Sequence, residues 1–340
     1  MMTRMYQVKR ASRSEFVPIR NLSYHVRLWG EPSPGRTPLV MVHGWMDVAA
    51  SYQFVVDAMA EDHFVIAPDW RGYGLTGLNS PHEQTGTVAA DGQSTTAVAK
   101  PAVAGGPDYG RTDNYWFPDY LADLDFLLDH YAPDQAVNLV GHSMGGNVVM
   151  LYGGVRPARI RRLINLEGFG MPATRPDQAP ARFAKWMDEL KKLQRGELAL
   201  KAYDSVDGVA RRLMKTNPRL ARDAAGADKA DWLAPHWSRQ NAQGQWDILG
   251  DPAHKIINAQ LYRVDEVQAL FGCITAPLLS VEASDNQMDE WWGGRYSLAE
   301  YHERLKAVPN VTQALIEDAG HMMHHDQPEK LARVIEDFLA

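Results

Sequence analysis

The chain has 340 residues, 45% of them hydrophobic, enough to bury the core of one large α/β domain with an insertion or of two small domains. A net charge of -7, without any long basic run, excludes nucleic acid as an expected partner. Its single cysteine, Cys273, excludes an intramolecular disulfide; no apolar run has signal-peptide or membrane-spanning character, so a soluble cytoplasmic protein is expected.

Taken in order, residues 16–29 alternate apolar and polar side chains (Leu22, Tyr24, Val26, Leu28) and predict antiparallel edge strands with one exposed face. A Pro/Gly turn at 31–35 leads into a buried strand at 38–42, ending in His43-Gly44-Trp45. A helix at 50–60 and a second buried strand at 64–67 follow, then Asp69-Trp70-Arg71-Gly72-Tyr73-Gly74. Asp69 and Arg71 read as an ion pair holding a loop at the strand's carboxyl end, since acyl transfer gives an arginine no obvious task.

Residues 79–110 are rich in Gly, Ala, Thr, Ser and Pro with few large apolar groups. Such a stretch buries too little surface to offset its ordering entropy, and it predicts a mobile loop. Apolar residues at helical spacing mark a helix over 117–131.

The run at 136–140 is apolar and β-branched, and it delivers the chain to Gly141-His142-Ser143-Met144-Gly145, followed by a helix-compatible stretch. A Gly-x-Ser-x-Gly between strand and helix is the nucleophile-elbow pattern. The sharp turn exposes the Ser143 hydroxyl, and the following helix aims free N–H groups and its positive dipole end at the point where an oxyanion forms. The backbone N–H groups of Met144 and Trp45 are the candidate oxyanion donors.

Another strand at 160–166 ends in Glu167-Gly168. From 171 to 271 the strand–helix alternation stops; amphipathic helical segments at 181–193 and 209–215 and four tryptophans (Trp186, Trp232, Trp237, Trp246) predict an inserted helical cap whose aromatics mainly form its core. Core elements resume with a strand at 277–281, a further helix, a strand at 311–316 and a closing helix at 328–339. Between the last two stands Ala319-Gly320-His321.

With HGW at 43–45, DWRGYG at 69–74, GHSMGG at 141–146 and AGH at 319–321, the chain resembles the α/β-hydrolase fold superfamily along nearly its whole length, and within it the capped, esterase-like serine hydrolases. The resemblance implies a mostly parallel eight-stranded sheet flanked by helices. Residues 1–170 and 272–340 would form the core, and 171–271 the cap. It implies Ser143 as nucleophile and His321 as base. The residues agree, because a serine needs a neutral imidazole to take its proton.

The acid is where the sequence departs from the common pattern. The usual turn after the strand at 277–281 would put Asn286 at the acid position, with Asp285 one residue early. The other position known in the fold holds Glu167, a carboxylate costly to bury without a partner such as His321. Glu167 is preferred, and Asp285 stays a candidate. His324 and His325 follow His321 at helical offsets, but the third ligand and basic glutamate of a zinc helix are missing, so no metal and no cofactor are expected.

These features point to a serine hydrolase cleaving carboxylic esters of small-molecule substrates through an acyl-enzyme. Carbon–carbon, lactone and amide hydrolysis use the same triad, and a receptor-like member of the fold could keep Ser143 and His321 for ligand binding alone.

Overall fold

The computed structural model describes residues 6–78, 107–110 and 112–340. Apart from 107–110, the loop expected at 79–110 lies outside the described residues.

Strands β1 (Arg13–Ile19) and β2 (Leu22–Trp29) pair antiparallel as anticipated, but only β1 is an edge: β2 also pairs with the strand at Val65–Pro68 and is buried from Tyr24 to Trp29, without the exposed face expected. Strand β3 (Leu39–Val42), helix α1 (Gln53–Ala58), β4 (Val65–Pro68), α2 (Phe117–Tyr131), β5 (Val137–His142), α3 (Met144–Val155) and β6 (Ile160–Leu166) follow. Across 171–277 run α4 (Ala179–Gln194), β7 (Ala202–Tyr203), α5 (Val206–Thr216), α6 (Ala224–Trp237), β8 (Ser238–Gln240), β9 (Trp246–Ile248) and α7 (Val264–Gly272). The chain closes with β10 (Leu278–Ala283), α8 (Met288–Trp292), α9 (Leu298–Leu305), β11 (Val311–Ile316), α10 (Met323–Asp326) and α11 (Pro328–Leu339).

Eight strands make one sheet in the order β1-β2-β4-β3-β5-β6-β10-β11, and every neighbouring pair from β4 to β11 is parallel. Sequence explains the arrangement: β3, β4, β5 and β10 are buried along their whole lengths, as strands covered on both faces must be. On one face α2, α3, α7 and α9 contribute Leu124, Leu127, Val148, Val149, Phe271 and Leu305 to a common core. Helices α1 and α11 close the other with Val55, Val56, Leu331 and Ile335. The result is the three-layered α/β fold that the motifs implied.

Two further expectations need correction. The stretch after β6 is not helical throughout, because β7, β9 and β8 pair as a three-stranded antiparallel sheet. Strands of two or three residues are too short to leave a period in the sequence. Trp237 is buried there, and Trp232 and Trp246 pack around the same core, which rests on Val48, Ala50 and Phe54.

The second correction concerns Asp69 and Arg71, which do not pair with each other. Asp69 takes His25 Nδ1 at 2.7 Å and the N–H groups of Ala49 and Leu75. Arg71 instead forks onto Asp123 of α2, with Nη2 to Oδ1 at 2.7 Å, and Arg20 joins the same carboxylate at 3.0 Å. A planar guanidinium finds a bidentate partner on the neighbouring helix, while Asp69 is taken up by backbone donors at its own strand end. The Asp123 side chain is wholly buried, so Asp123→Ala should lower unfolding stability by about 3–5 kcal/mol by stranding the arginines. Denaturant titration measures this; a change below about 1 kcal/mol would contradict the bracing role.

Candidate active site

Parallel register brings the functional strand ends side by side. Val42 of β3 lies opposite Gly141, and His142, the last residue of β5, lies opposite Leu166, the last of β6. The next residue on each of the latter two strands is Ser143 or Glu167. Both leave the strand in left-handed backbone, with φ of 53° and 52°. A non-glycine residue there costs about 1–3 kcal/mol and persists only where its surroundings enforce it.

At Ser143 the enforcement is visible. Its N–H donates to Leu166 O at 2.8 Å, and its carbonyl accepts Asn147 N–H at 3.0 Å, which starts α3. The flanking glycines are needed because the backbones touch. A Cβ on Gly141 would lie 2.3 Å from Gly145 O, and one on Gly145 would lie 2.4 Å from Val42 O. Ser143 itself stays half-buried.

The HGW loop runs along the same spot: a Cβ built on Gly44 would be 3.0 Å from Ser143 Cβ. Among the described residues neither Trp45 N–H nor Met144 N–H donates to a carbonyl, and Met144 opens α3, where N–H groups lack intrahelical partners. His43 pins the loop from below, placing Nδ1 2.8 Å from Gly44 O and Nε2 2.9 Å from Trp70 N. Since a carbonyl can only accept and an amide can only donate, His43 is neutral with its proton on Nδ1. Burial pushes its pKa down in the same sense.

His321 follows β11 and meets Glu167: Nδ1 and Oε2 are 2.6 Å apart. The Glu167 side chain is fully buried, and its other oxygen accepts Ala283 N–H at 2.8 Å. The imidazole is covered edge-on by Trp291, with ring centroids 4.5 Å apart. Asp285 is directed elsewhere. It is exposed and paired with Arg219, which also holds Asp318. Of the two candidate carboxylates, then, Glu167 contacts the imidazole and Asp285 does not.

Sequence reading passed over His142, whose Nε2 lies 2.7 Å from the His321 carbonyl, and Trp291. His142 stands inside the motif, but nothing in a linear pattern says that its side chain turns back toward residue 321. Nor do His321, His324 and His325 act as one group, since His321 turns to Glu167 while His324 faces Asp47. Clefts of about 630 Å³ beside Tyr203 and Arg211 and of about 330 Å³ between Tyr109, Leu200 and Leu249 are lined by neither Ser143 nor His321.

With this geometry in view, the comparisons are informative. The family model for the alpha/beta hydrolase fold matches residues 37–328. The chain belongs to the α/β-hydrolase family. A serine hydrolase-like protein of Danio rerio is 23% identical over 337 residues, covering 97% of this chain and 89% of that protein. Among solved structures, the thioesterase domain from the curacin biosynthetic pathway superposes with a TM-score of 0.72 at 19% identity, over 96% of this chain and 99% of that one. An esterase of Mycobacterium tuberculosis gives 0.62 at 19% identity, over 97% and 92%. This α/β-hydrolase is accordingly a hydrolase with serine hydrolase-like relatives. Among its described residues no helix is long and apolar enough to cross a membrane.

Buried neutral histidines give this α/β-hydrolase an acid-sensitive fold. His254 is sandwiched between the rings of Tyr73 and Tyr115, at 3.8 and 3.7 Å, and burial pushes its pKa down to about 3. In the unfolded chain a histidine titrates near 6.5. Between those values the unfolded chain binds a proton that the native state refuses, so stability falls with falling pH by up to about 1.4 kcal/mol per unit for this residue. His254→Phe, which keeps an aromatic ring in the stack, should flatten the slope of unfolding free energy against pH by about one proton between roughly pH 6 and 4. An unchanged slope would contradict a neutral His254.

Proposed function

We propose that the chain hydrolyses carboxylic esters of small to medium size through an acyl-enzyme on Ser143. The observation carrying this reading is the 2.6 Å contact between His321 Nδ1 and the buried Glu167 carboxylate, on the strand end next to the one that delivers Ser143 at a strained elbow. Such a carboxylate keeps the proton on Nδ1 and leaves Nε2 basic. Ser143 Oγ attacks the ester carbonyl as its proton passes to His321 Nε2, and the N–H groups of Trp45 and Met144 take the charge that develops on the carbonyl oxygen. Collapse expels the alcohol, which receives the proton from His321. Water, deprotonated by the same nitrogen, then releases the acid and frees Ser143. Glu167 stays ionised throughout and stabilises the imidazolium.

The chemistry asks for no cofactor and no metal at the reacting atoms. Residues 171–271 serve in this reading as a cap that shapes the acyl or alcohol subsite. The exposed apolar side chains of Met171, Phe183 and Met187 on this segment suit that task, as does exposed Trp45 beside the elbow. The thioesterase and esterase likenesses make oxygen esters and thioesters the substrates to test first. A series of p-nitrophenyl esters from acetyl to decanoyl, run beside the matching acyl thioesters, should give turnover with a clear optimum in acyl length. Absence of turnover across both series would overturn the proposal.

A further inference from the structure

Below the His321 backbone, three polar side chains from distant segments converge in the interior. Asp47 comes from the loop after β3, His142 from the end of β5 and His324 from α10. They are 3%, 1% and 0% exposed. One ligand atom of each lies within 4.8 Å of the other two.

Their hydrogen bonding is incomplete in a consistent way. Asp47 Oδ1 is occupied, accepting Val48 N–H at 2.8 Å and the hydroxyl of Ser51. By contrast Asp47 Oδ2, His142 Nδ1 and both ring nitrogens of His324 have no hydrogen-bond partner among the described residues. Buried polar atoms are rarely left so, and four of them on three residues of one cluster call for an explanation. His142 Nε2 faces the His321 carbonyl at 2.7 Å, so Nε2 carries the proton and the lone pair remains on Nδ1.

Distance separates the two readings of the cluster. Asp47 Oδ2 and His324 Nε2 are 3.4 Å apart, long for a charge-assisted hydrogen bond, which prefers about 2.7–2.9 Å. Yet two ligands bound tetrahedrally at about 2.1 Å stand about 3.4 Å from each other, the edge of that tetrahedron. A metal-bound histidine also characteristically donates its remaining N–H to a carbonyl, the bond His142 makes.

We propose that Asp47, His142 and His324 form a buried site for a divalent transition-metal ion of the zinc type, with a fourth position left for water. Two imidazoles and one carboxylate are a donor set that suits Zn²⁺, and the site takes no part in ester hydrolysis. It ties together the three segments that carry Trp45, Ser143 and His321, so its consequence is a more rigid active-site frame.

The test uses the whole chain, stripped of metal by chelator and dialysed. Titration with Zn²⁺ should reveal one equivalent bound per chain and a rise in Tm that grows with Zn²⁺ concentration. Asp47→Asn and His324→Gln should each weaken that binding at least about 100-fold, the loss of a direct ligand exceeding the 10–100-fold cost of a lost outer partner. His321→Ala should leave it unchanged, which separates this site from adventitious metal on the base. Buried substitutions can impair folding, so X-ray absorption on the wild-type Zn²⁺ form gives an independent answer. Two imidazoles and a carboxylate oxygen at about 2.0–2.2 Å are expected. No stoichiometric binding, fewer than two imidazoles, or affinity undiminished in both folded ligand variants would overturn the site.

Discussion

Replacing Ser143 with alanine should reduce kcat/KM for the best ester by on the order of 10⁵–10⁶, with the melting temperature unchanged. The size follows from the chemistry, because removing the nucleophile leaves only oxyanion donors and positioning, and residues that act as a unit lose nearly all their benefit together. The stability should hold because alanine keeps the Cβ, so the strained backbone at φ 53° and ψ -115° is the same in both chains. A fluorophosphonate should label the native chain once, at Ser143, and should not label the alanine variant. An adduct mapped by mass spectrometry to another residue, or an alanine variant retaining more than about one per cent of the rate, would remove Ser143 from the mechanism.

The second large effect decides the acid. Glu167→Gln should cost on the order of 10⁴ in kcat, because an amide can present its N–H₂ to His321 and reverse the tautomer, and it cannot stabilise the imidazolium. Asp285→Asn should cost no more than about tenfold, since Asp285 is exposed and engaged with Arg219. Both variants need wild-type melting temperatures before their rates are compared. Glu167 also accepts Ala283 N–H, a bond that the glutamine carbonyl can retain only by turning its N–H₂ toward the histidine. An inactive Asp285→Asn beside an active Glu167→Gln would return the acid to the commoner position.

Much of this was legible in the sequence because its signals are local. The closing helix, the helix at 117–131 and the strand at 311–316 coincide with α11, α2 and β11, since periodicity and turn residues mark both ends. The elbow at Ser143 was legible because strand, turn and helix are contiguous. Glu167 was harder: a carboxylate at the end of a buried strand implies a partner, yet the partner lies 154 residues away. Asp69 and Arg71 show the limit from the other side, being neighbours in the chain that each found a better partner in space. The grouping of Asp47, His142 and His324 was out of reach: His324 drew notice only beside His321 and His325, while Asp47 reads as a turn aspartate and His142 as a motif histidine. Only the register of β3 against β5 and the path after β11 bring them together.

The two-sided grip on Glu167 bears on how this site could change over generations. One oxygen holds the base and the other holds the backbone of β10. A lineage moving the acid toward position 285 would have to release that aspartate from Arg219 and supply a new acceptor for Ala283 N–H. It would also have to relax a left-handed residue at 167. If Glu167 serves as the proposed acid, relatives that keep it should vary around it sooner than at position 167 itself.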